Sequence, residues 1–178
     1  DLDRKGACVE VLADGPVPDS AKGEIFDWKT RKTVAVFTLV KSNHSALGPI
    51  LSGAVRVPSA VEWSCDNPYL YGVRIRNSAG EVMGVQRFGF RTIRVSGDRI
   101  LLNDRPIFLR GTLETILHGL VFKEANYAFA ANPEDFARRY FESFRKMNFN
   151  QIRTNTQTLP RRCYELMDEI GLLVRDEL

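Results

Sequence analysis

At 178 residues the chain is long enough for one ordinary domain and a second small or incomplete one. Its 44% hydrophobic and 26% charged residues are ordinary for a globular protein, and a net charge of +3, with Lys and Arg scattered along the chain, gives no nucleic-acid stripe. No apolar run approaches the roughly 18 residues that span a bilayer, so neither nucleic acid nor membrane is an expected partner.

The opening Asp1-Leu2-Asp3 carries no signal-peptide pattern. Cys8, Cys65 and Cys163 are far apart, odd in number and without His or Cys neighbours at ligand spacing. They are expected to be buried small apolar residues, and no metal or other cofactor is implied.

In chain order, residues 8–12 form a weak alternating strand that ends at Asp14-Gly15-Pro16. Residues 33–41 are apolar at both parities: Val34, Val36 and Val40 against Ala35, Phe37 and Leu39. That pattern predicts a strand covered on both faces. A further strand is expected over about 50–57, before Pro58. Residues 69–76 alternate cleanly, with Tyr69, Tyr71, Val73 and Ile75 on one side. Asn77-Ser78-Ala79-Gly80 is a hairpin turn, and residues 81–91 return. Strands at this spacing, with turns between and no helical pattern, predict a small antiparallel sandwich of immunoglobulin-like size over 1–94.

The stretch from Phe88 to Gly111 is a seam, beyond which the pattern changes. Asn103-Asp104-Arg105-Pro106 reads as a turn and Ile107-Phe108-Leu109 as a short buried strand. A loop of about twenty residues follows. Asn132 then caps a helix, with Pro133 at its first position and Glu134 and Asp135 in its first turn, where carboxylates favour the helix dipole. Phe136, Tyr140, Phe144 and Met147 recur at helical spacing and are assigned to its core face. Residues 151–154 read as a strand. Residues 160–170 read as a second helix, with Tyr164, Met167 and Ile170 inward and Gly171 as its stop. Leu172-Leu173-Val174 is a third strand. Strands alternating with helices predict parallel pairing, and three of them cannot close a barrel of eight.

Several of these segments, in order, carry a resemblance. Trp63-Ser-Cys-Asp-Asn-Pro-Tyr-Leu-Tyr71 resembles the Trp-Ser…Asn-Pro-Tyr-Leu-Tyr segment of family 2 glycoside hydrolases. Phe88-Gly-Phe-Arg91 is similar to the Gly-Phe-Arg strand that closes that family's immunoglobulin-like domain. Leu102-Asn-Asp-Arg-Pro-Ile-Phe-Leu-Arg-Gly111 is similar to its first barrel strand, Met147-Asn-Phe-Asn-Gln-Ile-Arg153 to its second, and the run from Asp168 to Glu177 to its third. The likeness covers about residues 60–178.

The resemblance implies an immunoglobulin-like antiparallel β-sandwich at 1–94, followed at 95–178 by the first three β/α units of an incomplete TIM barrel. It implies a parent that is a retaining exo-glycosidase, a hydrolase of β-galactosidase, β-glucuronidase or β-mannosidase kind, acting on terminal β-linked sugars of oligo- or polysaccharides. Polysaccharide-degrading relatives suggest a periplasmic or secreted parent. Retaining hydrolysis needs two carboxyl groups about 5–5.5 Å apart. In the family these are glutamates on the fourth and seventh barrel strands, so no catalytic residue is assigned to this chain and it is expected to be inactive alone.

Candidate substrate-binding or supporting residues remain. Arg153 matches the family arginine that supports the catalytic carboxylates, for which a planar, permanently charged guanidinium is suited; the plain alternative is a strand-end ion pair. Arg110 is expected at the end of the first strand, for substrate or for a salt bridge. Asp176 and Glu177 orient those arginines or are simply solvated. Where galactosidases and glucuronidases have Asn-Arg-His-Glu after the first strand, this chain has Leu113-Glu114-Thr115-Ile116. Where they have Ser-His-Tyr-Pro after the second, it has Asn155-Thr156-Gln157-Thr158. Glu114 and Asn155 are therefore candidates for different hydroxyl contacts, and His118 for a contact from the long loop. The competing reading is a non-catalytic immunoglobulin-like carbohydrate-binding or interaction module. Exposed barrel strands also predict self-association.

Overall fold

The computed structural model describes residues 5–12, 16–44, 46, 48–114, 132–156 and 158–177; His118 lies outside them. The chain divides into two compact units: residues 1–63 with 69–92, and residues 64–68 with 93–178.

The first unit holds strands β1 (Gly6–Val11), β2 (Ser20–Asp27), β3 (Thr33–His44), β4 (Gly48–Arg56), β5 (Tyr71–Arg76) and β6 (Val82–Phe88). They form one antiparallel sheet in the order β1-β4-β3-β2-β5-β6. Two packed sheets were the expectation; hydrogen bonding instead runs unbroken across all six strands. The sheet is curled, since β1 and β6, at its two ends, line a common cleft of about 530 Å³. Its concave side is the core, where Ala21 and Ile25 of β2, Leu39 of β3, Leu51 and Val55 of β4, and Tyr71, Val73 and Ile75 of β5 are buried.

Two glycines permit this packing. A Cβ on Gly23 would stand 2.3 Å from the Phe37 ring, and one on Gly72 would stand 2.3 Å from the Phe26 ring. Each aromatic ring lies across a strand where only a hydrogen is tolerated. β3 is covered on one face only. Val34, Val36 and Val40 are exposed, whereas Leu39 is fully buried, which corrects the two-sided reading of that strand. Cys8 on β1 is likewise exposed, while Cys65 and Cys163 are buried as expected.

From residue 93 the second unit runs through an antiparallel meander of β7 (Ile93–Ser96), β8 (Arg99–Leu102) and β9 (Arg105–Pro106). Asn103 and Asp104 both take positive φ, 53° and 64°, and Leu102 pairs with Arg105. This is the two-residue hairpin geometry whose twist matches the flanking strands. The remainder is β10 (Gly111–Glu114), helix α1 (Pro133–Lys146), β11 (Gln151–Thr154), helix α2 (Arg161–Ile170) and β12 (Leu173–Arg175). The three strands are parallel, in the order β10-β11-β12.

The first parallel strand starts four residues later than the sequence pattern predicts. Asn150 is the reason. Its buried side chain accepts the Arg110 N–H at 2.8 Å and donates to the Phe108 carbonyl at 2.9 Å, while its own N–H donates to the Arg110 carbonyl at 2.8 Å. Phe108 and Arg110 thus spend backbone groups on Asn150, the ladder begins at Gly111, and Phe108 is 78% exposed.

The Asn132 side chain accepts the Asp135 N–H, which caps α1 as the sequence predicts. The helix buries Ala137, Phe141 and Phe144; Met147 lies outside the core. Cys163, Leu166 and Met167 of α2 join them with Ile152 and Leu172 in one cluster. The outer seam between the helices is charged: Arg162 reaches Glu134 at 2.7 Å and Glu169 at 3.0 Å, and Arg138 reaches Glu169 at 2.7 Å.

Candidate functional site

Parallel pairing puts the C-terminal ends of β10, β11 and β12 at one edge of the small sheet. Glu114 is level with Thr154, and the chain leaves β12 through Asp176 and Glu177. Side chains from three elements meet there. Arg153 of β11 forms an ion pair with the Glu177 carboxylate, whose other oxygen accepts the Thr156 N–H at 3.4 Å. The Glu177 N–H donates to the Thr154 hydroxyl oxygen at 2.9 Å, and that hydroxyl donates to Asp176 Oδ1 at 3.3 Å. Asp176 Oδ1 also accepts the Tyr164 hydroxyl from α2 at 2.8 Å. Tyr164 in turn accepts the Leu159 N–H at 3.0 Å.

The electrostatics of the edge follow from these partners. The hydrogen bond from Arg153, with help from the Thr156 N–H, holds the Glu177 carboxyl below its ordinary range. It is therefore an anion at neutral pH, able to accept from hydroxyls or to balance a cation but not to donate a proton. Burial, and then the bond to Asp176, raise the Tyr164 phenol, which stays a donor. Replacement of Arg153 by Ala is expected to raise the Glu177 pKa, measured by carbon-detected NMR titration. A carboxyl depressed in the fold contributes stability above its unfolded pKa and loses it as pH falls through the folded value, so this variant should lose that acid-side dependence.

Of the sequence candidates, Arg153, Asp176 and Glu177 are brought together, and Asn155 follows β11 at the same edge, half-buried. Glu114 reaches that edge but is only 1% exposed. Burial, and next the charge of Glu114, push the Cys163 thiol up to about 11. Arg110 stands apart. It precedes β10 at the opposite end of the sheet, with Nε on the Asn148 carbonyl at 2.8 Å and a terminal nitrogen on Asn148 Oδ1 at 3.1 Å. Its expected place at a strand end moves with the shift of that strand. Thr154, Thr156 and Tyr164 were not singled out for the site by the sequence. Their only signal was proximity to strand ends, and Tyr164 read as core.

A comparison with protein-family models returned no match. Among curated proteins, a β-galactosidase of Psychromonas ingrahamii is 32% identical over 127 residues, covering 69% of this chain and 12% of that protein. Among solved structures, a β-glucuronidase from Ruminococcus gnavus, in complex with C6-substituted uronic isofagomine, superposes with a TM-score of 0.69 at 26% identity. That match covers 100% of this chain and 28% of the other. A glycosyl hydrolase family 2 member from Bacteroides cellulosilyticus has the same fold, with a TM-score of 0.69 at 23% identity, over 87% of this chain and 20% of its own. The chain spans 11% and 15% of the length of two other β-galactosidases that it matches. With β-galactosidase relatives in sequence and family 2 enzymes in fold, the chain belongs to glycoside hydrolase family 2 and corresponds to a part of its members.

Proposed function

We propose that this chain is part of a retaining exo-glycosidase that hydrolyses terminal β-linked sugars of oligo- or polysaccharides. In this reading residues 1–94 are its immunoglobulin-like domain and residues 95–178 the opening three β/α units of its TIM barrel. The observation that carries the reading is the convergence of Arg153, Asp176 and Glu177 where three parallel strands end, since the C-terminal face is where (β/α)8 enzymes hold their reacting groups. Glu177, kept anionic by Arg153, supports the sugar pocket as part of its electrostatic frame; acid and nucleophile are contributed by further strands of the parent. The outer sides of β10 and β12 have no partner strand among the described residues, which supports pairing with those further strands or with a second copy.

The 178-residue chain and the longer protein that carries it are to be assayed against a panel of nitrophenyl β-galactoside, β-glucuronide, β-mannoside and β-glucoside. The longer protein is expected to release nitrophenol from at least one with retention at the anomeric carbon, and this chain from none. Hydrolysis by this chain, or inversion by the parent, would overturn the reading.

A further inference from the structure

We propose that Tyr164 is a positioning residue which, acting through Asp176, sets where the Arg153–Glu177 pair stands at the C-terminal edge of the parallel sheet. The proposal rests on the functional reading above and names a residue that acts on its site from another element. Tyr164 belongs to the first turn of α2, and its ring packs beside the helical core cluster. Burial of the ring alone would make phenylalanine sufficient. The hydroxyl does something more: it receives the Leu159 N–H at 3.0 Å and gives its proton to Asp176 Oδ1 at 2.8 Å. With one donor and two acceptor sites, a phenol so engaged has its direction set from α2 and the turn before it.

The polarity then runs one way along the chain of contacts. Thr154 is fully buried, and its single proton goes to the same Asp176 oxygen, at 3.3 Å. That leaves a lone pair of Thr154 facing the Glu177 N–H, which it accepts at 2.9 Å. Asp176, held by two hydroxyls, therefore fixes the backbone from which the Glu177 side chain departs. The carboxylate of Glu177 is fastened at its other end by Arg153 and by the N–H of Thr156. Thr156 has φ of 52°, a left-handed conformation that a β-branched residue adopts only where its surroundings over-determine it. A strained threonine that donates to the same carboxylate is an independent sign that the place of this group matters.

The test is amide hydrogen exchange, read by NMR, on the 178-residue chain carrying Tyr164→Phe. The Glu177 amide is expected to exchange about tenfold faster, the scale of one lost hydrogen bond, while the Leu173 and Val174 amides keep their wild-type rates. Asp176→Ala, which removes the oxygen that accepts both hydroxyls and leaves the tyrosine in place, should show the same pattern and guards against a folding defect in the first variant. Equal acceleration at Leu173 and Glu177, or none at Glu177, would reduce Tyr164 to packing and overturn the proposal. In the longer protein, Tyr164→Phe should lower kcat about tenfold with KM within about twofold; an unchanged kcat would overturn the catalytic use of the positioning. Failure of the unsubstituted parent to turn over any of the glycosides strikes at the functional reading, whereas the exchange pattern decides the role of Tyr164 by itself.

Discussion

Replacing Trp63 by alanine is expected to lower the stability of the first unit by about 3–5 kcal/mol, the usual cost of deleting a buried aromatic side chain. Trp63 is 0% exposed, and its backbone N–H donates to the Phe90 carbonyl at 2.8 Å. The Arg91 guanidinium stands 4.5 Å from the ring centroid. On one flank the surroundings cannot close in after truncation. A Cβ on Gly89 would stand 2.8 Å from the Trp63 Cβ, so Gly89 is already in contact with the stem of the side chain. The space vacated by the indole stays largely empty, which puts the loss toward the upper part of the range. Urea denaturation followed by the fluorescence of Trp28, the other tryptophan of the chain, would read it as a lower midpoint at unchanged slope. A loss under about 1 kcal/mol would mean that the segment around Trp63 is not part of the cooperative core.

Gly171→Ala is expected to cost more than about 2 kcal/mol, as the sum of two penalties. The residue ends α2 with φ of 88°, a conformation that costs an L-residue about 1–2 kcal/mol. In addition, a Cβ there would lie 2.2 Å from the Cys65 carbonyl oxygen and 3.0 Å from its carbon, so backbone must move. That same oxygen accepts from Arg145 at 2.8 Å, and the guanidinium also meets Asp66 at 3.0 Å. Displacing Cys65 therefore strains an anchored contact and adds about 1–3 kcal/mol of overpacking. Gly80→Ala separates the two terms. Gly80 has φ of 83° and open space around it, so it should lose the conformational term alone. Equal losses from the two variants, read from parallel thermal melts, would show that the Cys65 contact contributes nothing.

What could be read from the sequence was local, and what could not was set by partners distant in the chain. Asn132, Pro133 and the two acids after them mark the start of α1, and Gly171 marks the end of α2, because capping chemistry lies within a few residues. The alternation of Tyr71, Val73 and Ile75 likewise announces β5. By contrast β2 shows only Ala21, Gly23 and Ile25 on its inner face, and two of these three are too small to stand out as a pattern. The meander of β7, β8 and β9 is built from strands of four, four and two residues with mostly exposed side chains, below what periodicity can detect. Whether six strands make one sheet or two depends on pairing, which no local signal encodes.

The candidate site divides the same way. Arg153, Asp176 and Glu177 were legible because they match the strand-end motifs of the family that the sequence resembles, and they do sit where β11 and β12 end. Arg110 fell at the wrong end of its strand because the Asn150 amide captures the backbone of residues 108 and 110 from forty residues away. Met147 carries the right spacing for the α1 core, yet the helix ends before it and the inward stripe runs instead through Ala137, Phe141 and Phe144. Tyr164 looked like core because half of it is; its hydroxyl acquires meaning only once α2 and the end of β12 are side by side.

Residues 64–68 are grouped with the second unit although the sequence on both sides of them belongs to the first. Arg145 at the end of α1 and Gly171 at the end of α2 both rest on this short strap. Genes of such proteins therefore cannot exchange the second unit cleanly by recombining at one point near residue 92. A chimaera made there would inherit its strap from a foreign donor, and natural or engineered shuffling of these halves must carry residues 64–68 along as a second inherited block.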